Sequence, residues 1–306
     1  MKGDRRMKIS RYRKVLCIFL LGCFSLALSA QDVLPACPRA DQGNRPSKPL
    51  REPLLLGDPV AVKVALPGAF TGTGPNVITD SLGVLDPVLE RLRQIQNGAS
   101  EDTLRIVHIG DSHIRGHIFP QTTGKRLAET FGAVSYVDMG VNGATCLTFT
   151  HPERIAAIAA LRPEFLIMSF GTNESHNRRY NSNVHYHQME ELLKLLRDSL
   201  PDVPILLTTP PGSYESFRQR RRKRTYAVNP RTVTAVNTIH SFARRNKLVV
   251  WDMYNVAGGS RRACQNWVAA GLMRPDHVHY LPVGYTLQGN LLYEALIKAY
   301  NAYVAQ

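Results

Sequence analysis

Between residues 104 and 306, five short apolar segments alternate with segments of helical periodicity. Near-continuous apolar runs are typical of strands buried on both faces, and an intervening helix returns the chain to the same sheet. The alternation therefore predicts an α/β fold with a five-stranded, parallel, doubly wound sheet. The predicted strands are 104–109, 133–138, 165–170, 203–208 and 248–251, and the predicted helices are 120–131, 152–161, 184–200, 230–246 and 282–303.

The region before the first predicted strand divides into two parts. Residues 31–80 contain eight prolines and little periodicity, which predicts an extended lead-in that wraps the domain. Residues 81–95 have leucines and valine at helical spacing, and Asn97-Gly98 ends that predicted helix. We therefore assign residues 31–80 to the lead-in and residues 81–306 to one globular domain.

The first thirty residues have the order of a secretory signal peptide. Seven Lys and Arg residues within 1–14 precede an apolar run over 15–28, and Ser29-Ala30 offers a small-residue cleavage site. The run is short for a transmembrane helix, so we expect no stable membrane insertion after cleavage. The alternative is a lipid anchor on Cys23, which the bulky Leu21 disfavours. We expect an exported protein, either periplasmic or secreted.

Charge and cysteine content exclude some partners and leave two questions open. Cleavage would remove seven basic residues and one acidic residue, so the net charge would fall from +14 to +8. Three cysteines would remain, Cys37, Cys146 and Cys264, which is no disulfide framework, although Cys146 and Cys264 could pair.

The basic run 218–224 indicates a solvated loop or a patch that attracts an anionic polymer or membrane surface. No motif indicates a nucleic-acid partner.

Chemistry-bearing residues follow four of the predicted strands. The carboxyl ends of parallel strands share one edge of a sheet, so these four loops converge there. Considered alone, Ser112 is explained equally well as a helix cap or as a catalytic residue. Its predicted partners favour the catalytic role. The four blocks are Gly110-Asp111-Ser112, Asn142-Gly143-Ala144, Gly171-Thr172-Asn173 and Asp276-His277-Val278-His279.

This combination of residue types fits acyl transfer. The Ser112 hydroxyl needs a base to become a nucleophile, and His279 is the candidate base. Asp276, three residues before His279, is placed to fix the imidazole tautomer. The N–H groups of Ser112 and Gly143 and the side-chain amide of Asn173 are candidate donors to the tetrahedral oxyanion.

The four blocks resemble those of the SGNH (GDSL-type) hydrolases, in the same order, over about residues 104–300. The resemblance implies a flavodoxin-like three-layer α/β/α sandwich, the SGNH hydrolase fold. It implies that Ser112 is the nucleophile, that His279 is the base and that Asp276 orients His279. It also implies that Ser112, Gly143 and Asn173 form the oxyanion hole.

The first block departs from the family's namesake motif, because His113 stands where that motif has Leu. Gly-Asp-Ser-His is similar to the branch that contains bacterial peptidoglycan O-acetylesterases. The 251–259 loop and the Asp-x-Val-His block also resemble that branch. Only about thirty residues separate Ser112 from Gly143, too few for the carbohydrate-binding insert that some of those enzymes carry.

Three other interpretations compete for the same residues. An α/β-hydrolase would need glycine at position 114, which is Ile114. A metal-dependent deacetylase would use the pairs His185-x-His187 and His277-x-His279. We expect the first pair to be surface histidines and His277 to line the mouth of the site. An inactive glycan-binding module would have little reason to retain all four catalytic residue types.

The sequence thus predicts an exported serine esterase that removes O-acetyl groups from a carbohydrate. Bacterial cell-wall glycan is the first choice, plant-type polysaccharide the second, and a lipid or thioester the third. The chemistry requires no metal or cofactor. Substrate-binding residues cannot be identified from the sequence. Asp111, Thr172 and Glu174 are predicted to be structural, bonding groups in their own loops.

Export gives the first testable prediction. Mass spectrometry of the protein from the periplasm or culture medium should give a mature N-terminus near Gln31. An intact Met1 terminus, with the protein confined to the cytoplasm, would contradict the signal-peptide assignment.

Overall fold

The structure is a computed structural model that describes residues 57–217 and 224–306, all within one compact unit, Glu52–Gln306. The predicted signal peptide, the first part of the lead-in, Cys37 and most of the basic run lie outside the described residues. Within them, no helix is long and apolar enough to cross a membrane.

Strands and helices alternate along the described chain. The strands are β1 Ile78–Thr79, β2 Leu104–Gly110, β3 Val134–Gly140, β4 Phe165–Ser169, β5 Ile205–Thr208, β6 Tyr214–Phe217, β7 Thr225–Val228 and β8 Val249–Trp251. The helices are α1 Asp86–Gln96, α2 Ser112–Arg115, α3 Ile118–Phe131, α4 Pro152–Ala160, α5 Thr172–His176, α6 Ser182–Ser199, α7 Arg231–Asn246, α8 Met253–Val256, α9 Gly259–Ala269 and α10 Pro282–Val304. A 3-10 helix, Cys146–Phe149, follows β3.

The central sheet has the strand order β1-β8-β5-β4-β2-β3. The five predicted strands pair in parallel, and their order is the flavodoxin-like 2-1-3-4-5. This confirms the predicted fold class. The sheet has six strands instead of five, because β1 at the end of the lead-in pairs antiparallel with β8.

Two buried clusters of apolar side chains cover the two faces of the sheet. Neighbouring residues of β2 point to opposite sides, so Ile106 belongs to one cluster and Val107 to the other. The first cluster packs α1, α3 and α10 against the sheet, and the second packs α4 and α6. The result is the three-layer sandwich that the sequence predicts.

The described part of the lead-in runs along the last helix. The backbone N–H of Val60 donates to the side chain of Asn301 at 2.7 Å, and Asn301 donates back to the Val60 carbonyl at 2.8 Å. Val64 donates to Glu294 at 3.2 Å. These bonds give the extended segment backbone partners that it lacks within itself, which explains how it stays ordered without periodicity.

Several predicted boundaries differ from the structure, and two of the differences have a clear physical cause. The helix expected from residue 81 begins at Asp86, because the Asp80 carboxylate accepts N–H groups of Val84 and Leu85 and makes residues 80–85 a turn. The loop expected up to residue 229 contains the antiparallel hairpin β6–β7. Aromatic and β-branched residues in both strands favour this pairing, although their short length concealed it.

Cys146 and Cys264 are both buried and both free thiols. The disulfide that the sequence left open therefore does not form between them.

The lead-in also supplies a buried polar junction, which gives a stability prediction. The Asn76 side chain accepts the indole N–H of Trp251 at 2.8 Å and donates to the Leu291 carbonyl and the Glu294 carboxylate. Asn76→Ala removes all three bonds and leaves the buried indole N–H of Trp251 without its partner, so we expect a loss of about 2–4 kcal/mol in the free energy of unfolding. Denaturant titration should show this loss, whereas the exposed Asn183→Ala should stay within about 0.5 kcal/mol of wild type. Equal effects would contradict the assigned role.

Candidate active site

Ser112 lies where β2 passes into the short helix α2 at the carboxyl edge of the sheet. The strand ends at Gly110, where a Cβ atom would come within 2.7 Å of the Ser169 carbonyl oxygen, so glycine is required. Asp111 is the N-cap of α2 and accepts the N–H of His113 at 2.9 Å. Because Asp111 performs the capping, the helix-cap interpretation of Ser112 is wrong.

His279 joins Ser112 to Asp276 through a chain of hydrogen bonds. The Nε2 atom of His279 lies 2.9 Å from Ser112 Oγ, and its Nδ1 atom lies 2.9 Å from Asp276 Oδ2. An ionised Asp276 can only accept, so Nδ1 carries the proton and Nε2 accepts the serine hydroxyl. This tautomer is the one that general-base activation of a serine requires.

The Asp276 carboxylate is fixed by its own turn. Its Oδ1 atom accepts the backbone N–H groups of Val278 and His279, each at 2.9 Å. Partial burial would raise the pKa of Asp276, but these N–H groups and the His279 ring outweigh it and lower the pKa. Asp276 therefore stays ionised and holds the imidazole in place.

The predicted oxyanion donors meet at the same cleft. The cleft has a volume of about 560 Å³, and Ser112, Gly143, Asn173 and His279 all line it. Gly143 has φ of +72°, a backbone conformation that favours glycine. One N–H of the Asn173 amide donates to the Ala144 carbonyl at 2.9 Å, which ties the second and third blocks together and leaves the other amide hydrogen for a ligand.

Glu174 braces the loops that carry these donors. One carboxylate oxygen accepts the N–H of Gly171 at 2.8 Å, and the other accepts the N–H of Cys146 at 3.0 Å. This buried carboxylate therefore connects the loop after β4 to the loop after β3. The predicted structural role of Glu174 is confirmed.

Two other residues of the first block are buried beneath the cleft. Burial raises the pKa of Asp111 to about 7 and lowers the pKa of His113 to about 3. His113 Nδ1 lies 3.0 Å from the hydroxyl of Tyr285, and its ring lies 5.5 Å from the His279 ring. The histidine that replaces the namesake Leu is therefore a neutral packing partner of the proposed base.

The histidine pairs do not form metal sites. Residues two apart in a helix point in different directions, so in α6 His185 is buried and His187 is exposed against Glu190. The expectation of a surface histidine is wrong for His185, whose Nδ1 lies 2.9 Å from the Tyr180 hydroxyl. Its other nitrogen faces a cluster with Cys146 and Glu174. Glu174 already accepts two backbone N–H groups, which gives its carboxylate a structural role in that cluster.

The expectation for His277 is also wrong. Its ring packs against Tyr226 and Tyr214 of the hairpin, with centroids 4.3 and 5.2 Å apart, and it is not among the residues that line the cleft. Its backbone carbonyl accepts the N–H of Tyr214 at 2.9 Å. The histidine attaches the hairpin to the turn that carries His279.

A second cleft, of about 690 Å³, lies between the end of the lead-in and α7. It contains Ser81, His240 and Asp252, which raises the question of a rival triad. His240 Nε2 bonds Asp252 at 2.7 Å, but among the described residues Ser81 forms no hydrogen bond to His240. The geometry therefore favours the Ser112 cleft.

Three residues with polar side chains in the Ser112 cleft were not identified from the sequence. They are Arg115, Arg274 and Tyr285, from α2, the turn before His279 and α10. The only available signal was the proximity of the two arginines to the first and last blocks. Exposed arginines are too common for that proximity to single them out.

Comparisons with known proteins identify the family of this chain. The GDSL-like Lipase/Acylhydrolase family matches residues 108–287, more than half of the sequence, and the chain belongs to that family. It is therefore a carboxylic ester hydrolase. No curated protein matches the sequence.

Among solved structures, one shares the fold and two others are more distantly similar, all at low sequence identity. A peptidoglycan O-acetylesterase superposes with a TM-score of 0.64 at 17% identity, covering 74% of this chain and 99% of that one. A carbohydrate acetylesterase from Sinorhizobium meliloti gives 0.47 at 12% identity, covering 64% and 99%. A GDSL-like lipase from Bacteroides thetaiotaomicron gives 0.47 at 18% identity, covering 70% and 98%.

Buried Asp111 predicts a pH-dependent stability. The native state keeps the Asp111 proton up to about pH 7, whereas the unfolded chain releases it near the ordinary value of 3.8. Stability relative to Asp111→Asn should therefore fall by about 1.4 kcal/mol per unit from pH 4 to 7 and level off above 7. Urea titrations across that range measure the difference.

The exposed Asp198→Asn variant is the control and should follow the wild type at every pH. A constant difference between wild type and Asp111→Asn from pH 4 to 7 would contradict a buried, protonated Asp111.

Proposed function

We propose that this protein is an exported serine esterase that removes O-acetyl groups from a carbohydrate, with bacterial cell-wall peptidoglycan as the first candidate. The observation that carries the proposal is the hydrogen-bonded chain Ser112–His279–Asp276, which opens on a cleft lined by Gly143 and Asn173. Nucleophile, base, orienting acid and oxyanion donors are then present together, as acyl transfer requires.

In the first half of the reaction, Ser112 Oγ attacks the acetyl carbonyl carbon while His279 Nε2 takes the hydroxyl proton. The carbonyl oxygen becomes an oxyanion and receives hydrogen bonds from the N–H groups of Ser112 and Gly143 and from Asn173. The intermediate collapses by breaking the bond to the sugar oxygen, which takes the proton from His279. A sugar hydroxyl leaves, and the acetyl group remains on Ser112.

In the second half, water attacks the acetyl-serine carbonyl and gives a proton to His279. The same donors hold the second oxyanion, which collapses by breaking the bond to Ser112 Oγ. His279 returns its proton to that oxygen, and acetic acid leaves and ionises to acetate in water. The positive charge that His279 carries twice in the cycle is stabilised by ionised Asp276 at 2.9 Å.

The lining of the cleft favours a short acyl group on a polar alcohol. Apart from two glycines and Tyr285, the residues that line it are polar or charged, and none is aliphatic. A long acyl chain would find no aliphatic side chain there to pack against, which weighs against a lipid substrate. Sugar hydroxyls match such a lining through hydrogen bonds.

The choice of peptidoglycan among carbohydrates depends on three further observations. The leader supports export to the compartment of the cell wall, and the sequence blocks resemble the O-acetylesterase branch. The structural similarity includes a peptidoglycan O-acetylesterase. Acetylated plant-type polysaccharide is the second candidate, because its sugar hydroxyls match the same polar lining.

Acetate release tests the substrate. The purified mature protein should release acetate from O-acetylated peptidoglycan faster than from acetylated xylan, measured side by side at equal ester concentration. Faster release from xylan would replace the first candidate by the second. Hydrolysis of para-nitrophenyl acetate with no release from either glycan would refute the carbohydrate assignment.

Substitutions test the mechanism. Ser112→Ala and His279→Ala should each lower kcat by about 10⁴-fold or more, and the double variant should lose little beyond either one, because the two act as a unit. Asn173→Ala should lower kcat by about 10²-fold with little change in KM, since its hydrogen bond matters once the oxyanion forms. Unchanged circular dichroism confirms folding. A Ser112→Ala variant with near-native turnover would refute the assignment.

A further inference from the structure

The proposed catalytic cleft carries two guanidinium groups and no lining carboxylate. Arg115 and Arg274 line it together with Ser112 and His279, and both arginines are exposed. The nearest acid of the site, Asp276, is bonded to His279 and to backbone N–H groups. The cleft therefore presents uncompensated positive charge beside the nucleophile.

Arg115 is positioned by the same helix as the nucleophile. It follows Ser112 by three residues in α2, so both side chains lie on one face. Its Nη1 atom donates to Nε2 of His117 at 2.5 Å, and Nδ1 of His117 donates to Asp138 at 2.5 Å. The His117 ring thus stands between Arg115 and Asp138, so the guanidinium is oriented without direct contact to that carboxylate.

The backbone of His117 is strained in this arrangement. Its φ is +65°, in the left-handed region that non-glycine residues rarely adopt. The two bonds of the ring, to Arg115 and Asp138, offset the strain of that conformation.

Arg274 is positioned by the same turn as the proposed base. Its backbone N–H donates to the His279 carbonyl at 2.8 Å, and its carbonyl accepts the N–H of His277 at 2.9 Å. Among the described residues, no carboxylate forms an ion pair with the Arg274 side chain. The two arginines are therefore attached to the two segments that supply the nucleophile and the base.

We propose that Arg115 and Arg274 bind a carboxylate of the saccharide that carries the acetyl ester, so that the enzyme is specific for acidic saccharides. The inference rests on the proposed function and names its substrate class. Guanidinium groups pair with carboxylates through charge-assisted hydrogen bonds of defined direction. A uronic acid and a sugar with a carboxyalkyl ether, or with acidic peptide attached, share this chemistry.

The test is a ratio of kcat/KM values. The ratio compares O-acetylated saccharide fragments that have free carboxylates with the same fragments after amidation of those carboxylates. The wild type should favour the free form by roughly 10- to 100-fold, the range for hydrogen bonds to charged groups. The Arg115→Gln/Arg274→Gln double variant should bring the ratio close to one. A ratio cancels any general loss of activity in the variant.

Two controls sharpen the comparison. Arg261→Gln removes an exposed arginine of α9 that does not line the cleft, and it should keep the wild-type ratio. Peptidoglycan fragments and acetylated glucuronoxylan fragments, each with its amidated form, distinguish the two sources of the carboxylate.

A pair of small esters separates this inference from the proposed function. Para-acetoxybenzoate carries a carboxylate charge that its methyl ester lacks, as in the comparison of free and amidated saccharides, and neither compound contains a glycan. A preference for the free carboxylate, on the saccharide pair or on the small-ester pair, that disappears in the double variant supports the arginine site. It does so even if the enzyme releases no acetate from glycans, a result that would refute only the carbohydrate assignment. No preference on both pairs, or a preference that the double variant retains, overturns it.

Discussion

The proposed catalytic geometry depends on one contact between distant parts of the chain, the 2.9 Å hydrogen bond between Ser112 and His279. Ser112 begins α2 directly after β2, and His279 lies in the turn before α10, 167 residues later. A parallel sheet brings such residues together because every strand's carboxyl end faces the same edge, and the order of β3, β2 and β4 makes a crevice there. The fold thus bears the entropic cost of assembling the site before a substrate arrives.

Hydrogen bonds between the loops that line this crevice fix their positions. Glu174 accepts N–H groups of Gly171 and Cys146, and Asn173 donates to Ala144, so the loops after β3 and β4 hold each other. An oxyanion hole works only if its donors are fixed before charge develops, because reorganisation at that moment would cost the energy that they supply. The acidic residues of the site are thus structural or orienting, which leaves the positive charge of the cleft arginines free for a ligand.

The sequence predicted the main strands and most residues of the site, but it did not predict the shortest strands or the burial of individual side chains. The five parallel strands follow from apolar runs between helical segments, and Ser112, Gly143, Asn173 and His279 follow from the rule that such strands share an edge. The edge strand β1 has two residues, too few for a periodic signal, and each strand of the hairpin β6–β7 has only four. Whether a histidine is buried depends on tertiary packing, so the prediction for His185 was wrong, and Arg115 and Arg274 were recognisable only once the cleft existed.

The central claim is that Ser112 is a nucleophile activated by His279. Labelling with a fluorophosphonate, which reacts covalently with activated serines, followed by peptide mass spectrometry, tests it most directly. The account predicts one adduct, on the peptide that contains Ser112, and loss of labelling in a folded His279→Ala variant. An adduct on another serine, or labelling of Ser112 at an unchanged rate without His279, would contradict it.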